Sequence, residues 1–340
     1  MRKLLNTLYV TTPESYLTKD GKNVVVSIDK EEIFRIPIIN IESIVTFGYM
    51  GASPGLMKLC VDNSVSLVFM SPHGRFIGRI QGGVKGNVLL RKRQYHLSED
   101  IGQSLHLSRL FIAGKIFNCR NVLRRFIRDN GTNAEVEQAA NSMERFKREA
   151  LNAVNMDVLR GVEGYAANNY FGVFNHLIIN QKNDFVFNGR NRHPPKDEVN
   201  AMLSFVYTLI ANEVASALES VGLDPYVGFM HTLRPGRFSL ALDMMEELRA
   251  YLGDRLVLSM INRKQVGKQD FIRQGDDALQ MTDSCKKKII SSWQKRKKEI
   301  IEHPYLKEKI PLGLLPYSQA MLLSRFMRGD IDDYPVFLMK

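Results

Sequence analysis

The stretch HTLRPGRFSLALDMMEELRAYL, from His231 to Leu252, joins a loop containing Pro and Gly to a segment of helical periodicity. After Ser239 the apolar residues recur three and four apart, which is the spacing of one face of an α-helix. This apolar stripe consists of Ala241, Met244, Met245, Leu248 and Leu252. Asp243 and Glu246 lie on the opposite face, where acidic residues are usually solvated. The helical pattern alone therefore favours a solvated acidic face.

The same acids also have the spacing of a metal site. Asp243 and Glu246 are neighbours on a helix, about 5–6 Å apart at Cβ, and could share one cation. His231 precedes Asp243 by twelve residues, in a loop that could reach the start of the helix. A histidine with two carboxylates suits Mn²⁺ or Mg²⁺, because most of the ligands are hard oxygens. A third carboxylate would strengthen this hypothesis.

Outward from this stretch, the chain divides into a β-rich and a helical part. Residues 9–80 contain short apolar runs broken by turn signals, among which Asp20-Gly21 predicts a hairpin. From about Ile101 onward, most segments have helical spacing over lengths that only helices reach. The sequence predicts an α+β fold, with a small mostly-β N-terminal domain (1–95) followed by a larger all-α C-terminal domain (96–340).

Helices are expected at definite places in both parts. In the β-rich part, Ser53 as N-cap followed by Pro54 predicts one short helix. The candidate helices of the second part are, in chain order, Ile101–Asp129, Ala134 through SMERFKREALNA, MDVLRGVEGYAANNYFGVFNHLI, DEVNAMLSFVYTLIANEVASALESVG, SLALDMMEELRAYLGDRLVLSMIN, DSCKKKIISSWQKRKKEIIEH and YSQAMLLSRFMRG. The loops between them are the expected places for a site, since a rigid scaffold can position them.

The composition indicates partners rather than a fold. The 340 residues carry a formal net charge of +11, which favours polyanions and above all nucleic acid. No apolar run is long enough to span a membrane, and the N-terminus does not resemble a signal peptide, so we expect a cytoplasmic protein. The three cysteines are far apart in sequence, which argues against zinc or disulfides: Cys60, Cys119 and Cys285.

Glu163 supplies a further carboxylate in a helical segment, where it lies between Gly161 and Gly164. A glycine inside a helix costs about 1 kcal/mol relative to alanine, so two of them need a reason. Close approach of another helix and close approach of a ligand are both open explanations.

Three motifs together carry a family resemblance. They are, in this order, LRGVEGYAANNYF, NRHPPKDEVNAMLSFVYTL and GFMHTLRPGRFSLALDMMEELR, and they resemble the catalytic domain of the CRISPR-associated spacer integrases, the adaptation endonucleases of CRISPR systems. RIPIINIESIVTFG and VSLVFMSPHGRFIGRI resemble the N-terminal β-domain of that family, and YSQAMLLSRFMRGDIDDY resembles its C-terminal end. The resemblance covers essentially the whole chain and is greatest to subtype I-C members.

The resemblance implies a metal site at residues that match the family motifs. The Glu of R-G-x-E-G, the His of G-F-x-H and the Asp of D-x-M-E fall on Glu163, His231 and Asp243, the implied catalytic residues and metal ligands. Glu246, the second acid of D-x-M-E, is expected to be a further ligand or to hold a ligated water. Glu247 is expected at the surface.

The resemblance also implies the reaction and its partners. The family joins short duplex DNA to CRISPR arrays with Mg²⁺ or Mn²⁺, by attack of a 3′-hydroxyl on a phosphodiester of the repeat. Its partners are double-stranded DNA (protospacer and CRISPR repeat), a second copy of the chain in a homodimer, and a small ferredoxin-like adaptation protein that completes a hetero-hexamer. The N-terminal domain would serve dimerisation and DNA contact, and the C-terminal domain catalysis.

Two other functions remain open at this point. A catalytically silent DNA-binding scaffold would keep the fold without the metal, and a metal-dependent DNA repair nuclease could use the same residues. Retention of all three ligand types favours an enzyme over a scaffold.

DNA contacts are expected at basic residues that could offset the acidic site. The candidates are Arg75, Arg79, Arg91, Lys92, Arg93, Arg190, Arg192, Arg234 and Arg237. For each of them, a solvated or salt-bridged surface role is the alternative. The runs CKKKII and WQKRKK are expected to form a solvated helix face, with a DNA-backbone contact and, less favoured, a nuclear-import signal as the alternatives.

Overall fold

The computed structural model describes residues 7–12, 14–48, 51–72, 76–80, 88–191, 195–274 and 278–339, and only the backbone at 274 and 278. Arg75 and Arg192, two of the predicted DNA contacts, lie outside these residues. The chain forms two compact units, the first consisting of Met1–Val84, Met281–Glu299 and Leu312–Leu314, and the second of Lys85–Gln280, Ile300–Pro311 and Leu315–Lys340. The first unit therefore includes a late segment that the sequence assigned to the C-terminal domain.

The first unit is rich in strands. Its elements up to residue 84 are β1 (Thr7–Val10), β2 (Tyr16–Asp20), β3 (Asn23–Ile28), β4 (Glu31–Pro37), β5 (Ser43–Phe47), α1 (Pro54–Asp62), β6 (Ser66–Met70) and β7 (Phe76–Ile80). Strands β2, β3 and β4 form an antiparallel sheet. The other sheet has the order β1-β5-β6-β7, in which only the β6–β7 pair is antiparallel.

Local sequence signals explain this arrangement. Gly21 has φ +56° in the turn between β2 and β3, which confirms the predicted hairpin. The Ser53 hydroxyl accepts a hydrogen bond from the Leu56 amide at 3.2 Å, so the predicted short helix is present as α1. The two sheets and α1 share a core that includes Leu17, Val24, Ile44, Leu56 and Leu67.

The helix α2 (Val88–Glu99) begins the second unit, and the helical region therefore starts earlier than the sequence predicted. It is followed by α3 (Ile101–Asn130), α4 (Ala134–Leu151), α5 (Met156–Gly172), α6 (Glu198–Ser220), α7 (Ser239–Arg249), a π-helical turn (Ala250–Asp254), α8 (Arg255–Asn262), β8 (Phe271–Gln274) and β9 (Ala278–Met281). The remaining elements of the chain are α9 (Asp283–Lys297), β10 (Ile300–Glu302), β11 (Lys309–Pro311) and α10 (Leu315–Arg328). The C-terminal region is thus mostly helical, with two short strand pairs that the sequence did not predict.

Helix α9 belongs to the first unit, and not all of its basic residues are solvated. Lys286 is buried, and its ammonium donates to Asp283 at 2.9 Å and to the Pro72 carbonyl. Arg296 and Lys297 are buried as well. The expectation of a fully solvated basic face was wrong for these three side chains.

Helix α6 is the most apolar long helix of the second unit. Among the described residues it alone is long and apolar enough to cross a membrane, and 72% of its apolar window is buried inside the protein. Asp197 caps its start by accepting from the Asn200 amide at 2.7 Å. Helices α7 and α10 pack against it, so its hydropathy reflects a position in the helical core.

Candidate functional site

The loop between α6 and α7 carries the histidine of the sequence motif, and several helices hold this loop in place. Gln94 on α2 is buried and donates to the carbonyls of Asp224 and Val227 at 2.7 and 2.8 Å. The Ser104 hydroxyl on α3 donates to the Phe229 carbonyl at 2.9 Å. Arg160 on α5 donates to the Met230 carbonyl at 3.2 Å. These bonds fix the backbone that leads into His231.

Asp243 lies in the first turns of α7 and faces this loop. Its side chain is fully buried and accepts four hydrogen bonds. Oδ2 accepts from the amides of Phe229 (2.6 Å) and Met230 (3.0 Å). Oδ1 accepts from the amide of His231 at 3.0 Å and contacts His231 Nδ1 at 2.5 Å. Since an ionised carboxylate only accepts, Nδ1 must carry the proton, which leaves the lone pair of Nε2 free to bind a ligand.

Gly228 allows this close packing of the loop against α7. A Cβ atom at this position would lie 2.6 Å from Asp243 Oδ2 and 2.7 Å from the Ser239 carbonyl carbon. The glycine of the G-F-x-H motif is therefore required by a close approach of backbone and carboxylate.

Glu163 on α5 and Glu246 on α7 meet at one cation. Lys115, in the middle of α3, forms an ion pair with Glu163 and lies 2.9 Å from Glu246 Oε2. The Lys115 and Glu246 side chains are almost completely buried, whereas the Glu163 side chain is 27% exposed. Glu163 is therefore the member of this cluster with an open path to solvent.

Arg249 balances the other oxygen of Glu246. Its guanidinium donates to Glu246 Oε1 at 2.7 Å and lies over the Tyr207 ring, 4.8 Å from the centroid. Burial raises the pKa of the Glu246 carboxyl, but the charges of Arg249 and Lys115 outweigh burial and hold that pKa at about 2. Glu246 is thus an anion held between two cations.

The π-helical turn after α7 fixes Tyr207 beneath Arg249. Asp254, at the end of that turn, accepts from the hydroxyls of Tyr207 at 2.5 Å and Tyr170 at 3.0 Å. Burial raises the pKa of Asp254. A Cβ atom at Gly253 would lie 2.9 Å from the Tyr207 ring, so the turn packs its backbone directly on the ring.

The solvated acidic face favoured by the helical pattern is not observed, because Asp243, Glu246 and Glu247 are all buried. The surface position expected for Glu247 is wrong. Its carboxylate accepts from the Gln319 side chain, the Tyr334 hydroxyl and the Phe337 amide. These partners come from α10 and the C-terminal segment, which the helical wheel of α7 alone could not reveal.

The described residues thus form two adjoining groups. Asp243 holds His231, and Lys115 joins Glu163 to Glu246. Asp243 and Glu246 lie three residues apart on α7, which places the two groups side by side. Within the described part of the chain, no three His, Cys, Asp or Glu side chains converge in a ready-made metal-binding arrangement.

Comparison with known proteins identifies the family. The family model described as CRISPR associated protein Cas1 matches residues 8–295. The chain belongs to the Cas1 family. One relative, the CRISPR-associated endonuclease Cas1 1 of Chlorobaculum tepidum, is 48% identical over 341 residues and 99% of each chain. This confirms the predicted family, while the subtype stays a prediction.

Two solved structures share the fold of this Cas1 chain. One is a Cas6-RT-Cas1–Cas2 complex, with a TM-score of 0.85, 20% identity and coverage of 100% of this chain and 37% of the other. The second is a casposase bound to integration product, with a TM-score of 0.84, 21% identity and coverage of 98% and 93%. They confirm the predicted α+β architecture, with a strand-rich region followed by a helical one.

The candidate DNA-contact residues of this Cas1 chain lie in different environments. Arg93 and Arg234 are exposed, and Arg79, Arg91 and Arg237 are half-buried. The Arg190 guanidinium donates to Asn200 Oδ1 at 2.7 Å and to the Ser204 hydroxyl at 3.2 Å, so it is engaged within the fold. Their contacts with DNA stay predictions.

Sequence reasoning missed three residues of this site: Lys115, Arg249 and Asp254. One signal was present in the sequence for Lys115, which stands alone among apolar residues in LFIAGKIF. A lysine at a core position needs a buried anionic partner. For Arg249 and Asp254 no comparable signal exists, since charged residues near a helix end are ordinary.

Proposed function

We propose that this chain is a divalent-metal-dependent DNA endonuclease and integrase that inserts short duplex DNA into CRISPR arrays. The observation that carries the proposal is a histidine oriented by a buried aspartate, beside two carboxylates that share one cation. The Chlorobaculum tepidum relative is named an endonuclease, and the casposase of similar fold was solved with an integration product. Both names are consistent with phosphodiester chemistry at this site.

The donor set fits Mg²⁺ or Mn²⁺. Glu246 Oε2 is buried and lies 2.9 Å from the Lys115 ammonium. Together with Glu163 and Nε2 of His231, this oxygen gives two hard ligands and one imidazole, which suit these ions. We propose that Glu163, His231 and Glu246 hold the metal.

Asp243 would then have a different role from the ligand role that the family resemblance implies. Both of its oxygens already accept two hydrogen bonds each. A carboxylate that orients a metal-binding histidine through Nδ1 is a common arrangement in proteins. We therefore assign Asp243 to positioning His231.

The chemistry would be divided between the bound ion, the DNA and the protein. A divalent ion supplies polarisation of the phosphoryl oxygen and stabilises developing negative charge. The 3′-hydroxyl oxygen of the inserted duplex would bond to the phosphorus of a repeat phosphodiester while the 3′-oxygen of the repeat strand leaves, so no nucleophile from the protein is required. Arg249 would keep Glu246 in place, and Arg234 and Arg237, on the loop after His231, could bind the DNA backbone.

The proposed assembly is a homodimer that works with a small ferredoxin-like partner in a hetero-hexamer, in the cytoplasm. The structural neighbour named as a Cas1–Cas2 complex supports a protein partner of this kind. Light scattering of the purified chain should give the mass of a dimer, and a monomer at working concentration would contradict the assembly.

An integration assay tests the function. The chain, its partner, Mn²⁺, a short duplex and a supercoiled plasmid carrying a CRISPR repeat should yield plasmid joined to the duplex. We expect Glu163→Gln and His231→Ala to lower joining by about 100-fold or more, because each removes a ligand. Glu137→Gln, an exposed acid on α4, is the matched control.

The other outcomes of the same assay identify the alternatives. Cleavage without joining would indicate a repair nuclease. DNA binding with neither reaction would indicate a silent scaffold. Full joining by both variants would contradict the metal site.

A further inference from the structure

Lys115 occupies a place where a lysine needs a specific explanation. It lies in the middle of α3, with 8% of its side chain exposed, and Phe111, Ile112 and Ile116 around it are fully or almost fully buried. Burying an ammonium is costly unless it is paired. Its partners are the carboxylates of Glu163 and Glu246, on two other helices.

The two carboxylates need Lys115 as much as Lys115 needs them. Without a cation between them, Glu163 and Glu246 would repel each other in a partly buried site. Of these two carboxylates, Arg249 contacts that of Glu246, through Oε1. Among the described side chains, Lys115 is the cation that contacts both carboxylates.

The Lys115 ammonium lies against the oxygens to which the proposed function assigns the metal. It pairs with Glu163 Oε1 and lies 2.9 Å from the buried Glu246 Oε2. An ammonium and a divalent cation cannot both stay in close contact with the same oxygens without strong repulsion.

We propose that Lys115 is a positioning residue that holds Glu163 and Glu246 together in the metal-free protein and competes with the divalent cation for their oxygens. The proposal rests on the metal site of the proposed function. It implies a site that is preformed without metal, and a metal affinity that is lower than the ligands alone would give.

Mn²⁺ binding to the full chain tests the proposal without a catalytic readout. Free Mn²⁺ is measured by electron paramagnetic resonance, and thermal unfolding is followed with and without Mn²⁺. Lys115→Met removes the charge and keeps the chain length. Arg124→Met, an exposed position on the same helix, removes one charge elsewhere and is the matched control.

We expect Lys115→Met to lower the unfolding temperature without Mn²⁺, and to bind Mn²⁺ at least about tenfold more tightly than the unmodified chain. Arg124→Met should change neither. A merely structural role for Lys115 would give the lower unfolding temperature without tighter Mn²⁺ binding, and that result would overturn the proposal.

Two further measurements keep the outcomes distinct. If Lys115→Met does not fold, it is replaced by Lys115→Gln, which keeps a hydrogen-bond donor. In the second measurement, the lysine ammonium resonances of the unmodified chain are followed by ¹⁵N NMR during Mg²⁺ addition. A buried ammonium resonance that shifts with Mg²⁺ supports competition, and one that stays constant while Mg²⁺ binds overturns it. Absence of Mn²⁺ binding in both the unmodified chain and the variants overturns the proposed metal site as well, whereas equal binding overturns the Lys115 proposal alone.

Discussion

A methyl group added at Gly228 would lie 2.6 Å from Asp243 Oδ2 and 2.8 Å from the Leu240 amide nitrogen. Neither the buried carboxylate nor the start of α7 can move without disturbing the bonds that hold His231. We expect Gly228→Ala to lower the free energy of unfolding by about 1–3 kcal/mol, as overpacking does. Urea denaturation of the purified variant measures this change.

Gly161 is the matched comparison for this substitution. It lies inside α5, and a Cβ there would meet no described atom within 4 Å outside its own helix. Gly161→Ala should therefore raise the free energy of unfolding, by up to about 1 kcal/mol. A Cβ at Gly164 would likewise meet no described atom within 4 Å outside its own helix. Among the described residues, helix packing therefore requires neither of the two glycines beside Glu163. A loss of stability in Gly161→Ala would contradict this interpretation.

Asp243→Asn tests whether this residue positions His231 or binds metal. In this variant the side-chain NH₂ group would face two of the N–H groups that now donate to the Asp243 carboxylate. A buried donor left without a partner costs about 1–3 kcal/mol. We expect joining activity to fall by about 10–100-fold, as for other partners of metal-binding histidines. Mn²⁺ affinity should fall less than in Glu163→Gln, and an equal fall would make Asp243 a ligand.

His303 is a buried histidine whose contacts require the neutral form. Nδ1 accepts from the amides of Tyr305 (3.3 Å) and Leu306 (3.2 Å), and Nε2 donates to Gln319 Oε1 (2.9 Å). Burial lowers the pKa of His303 below 6.5. At His303 the unfolded chain therefore binds more protons at acid pH, and the contribution of this residue to stability is lost as pH falls below about 6.5.

The expected loss is up to about 1.4 kcal/mol per pH unit between 6.5 and the pKa of the folded state. His303→Gln cannot titrate and should have a smaller dependence on pH in this range. Urea denaturation at pH 7.5, 6.5 and 5.5 measures the difference, with the exposed His96→Gln as control. Parallel pH profiles for His303→Gln and the unmodified chain would refute a role for His303.

At this scale the sequence identified residue types but not their contacts. Glu163, His231 and Asp243 were selected through motifs, and the structure adds that Asp243 bonds directly to His231 while Glu163 meets Glu246 through Lys115. Which oxygen faces which donor depends on helices distant in sequence. For the same reason the burial of Glu247 was not predictable, since its partners lie 72 to 90 residues away.

Among the elements, the C-terminal segment after α10 is held by α3 rather than by its own secondary structure. Asn118 on α3 donates to the carbonyls of Glu247 (2.6 Å) and Phe337 (2.8 Å), and accepts from the Met339 amide at 2.7 Å. The segment also bonds to the Glu247 carboxylate, next in sequence to Glu246. Its attachment therefore supports the part of α7 that carries the site.

Asn118→Ala leaves three buried backbone groups without this partner. We expect the free energy of unfolding to fall by about 2–4 kcal/mol, and limited proteolysis to remove the C-terminal segment faster. Asn130→Ala, at the exposed end of the same helix, should change stability by less than about 0.5 kcal/mol. Equal proteolysis of the two variants would mean that Asn118 does not hold the segment.

Helix positions were predicted well where capping and periodicity agree. Helix α3 was expected at Ile101–Asp129 and ends one residue later, because Asp100 caps its start and Gly131 follows its end with φ +90°. The stretch after Ser239 was expected as one helix, but it contains the π-helical turn, which depends on packing against Tyr207. The residues after α9 form β10 instead of a longer helix, since they pair with β11.

For the whole molecule, the net charge of +11 and the acidic site must be considered together. Of the acids that would bind metal, Glu246 is buried and Glu163 is half-buried, and both are paired with buried cations, Lys115 and Arg249. Their charges are therefore balanced without the basic residues of the surface. On the proposed function, exposed basic residues such as Arg93 and Arg234 would hold DNA near carboxylates that would otherwise repel phosphate. Composition alone predicted this polyanion partner, but not which surface carries it.

The salt dependence of DNA binding tests this division of charge. Each phosphate contact contributes a slope of about −0.9 in a plot of log affinity against log salt concentration. We expect affinity for a short duplex to fall at least about tenfold between 50 and 200 mM salt.

The double variant Arg91→Ala/Arg93→Ala on α2 should reduce the magnitude of this slope by the contribution of about two phosphate contacts. Arg145→Ala/Arg148→Ala, on the exposed face of α4, removes the same charge elsewhere, so fluorescence anisotropy of both separates local contact from overall charge. Identical slopes for the two double variants would mean that α2 attracts DNA only through the net charge of the chain.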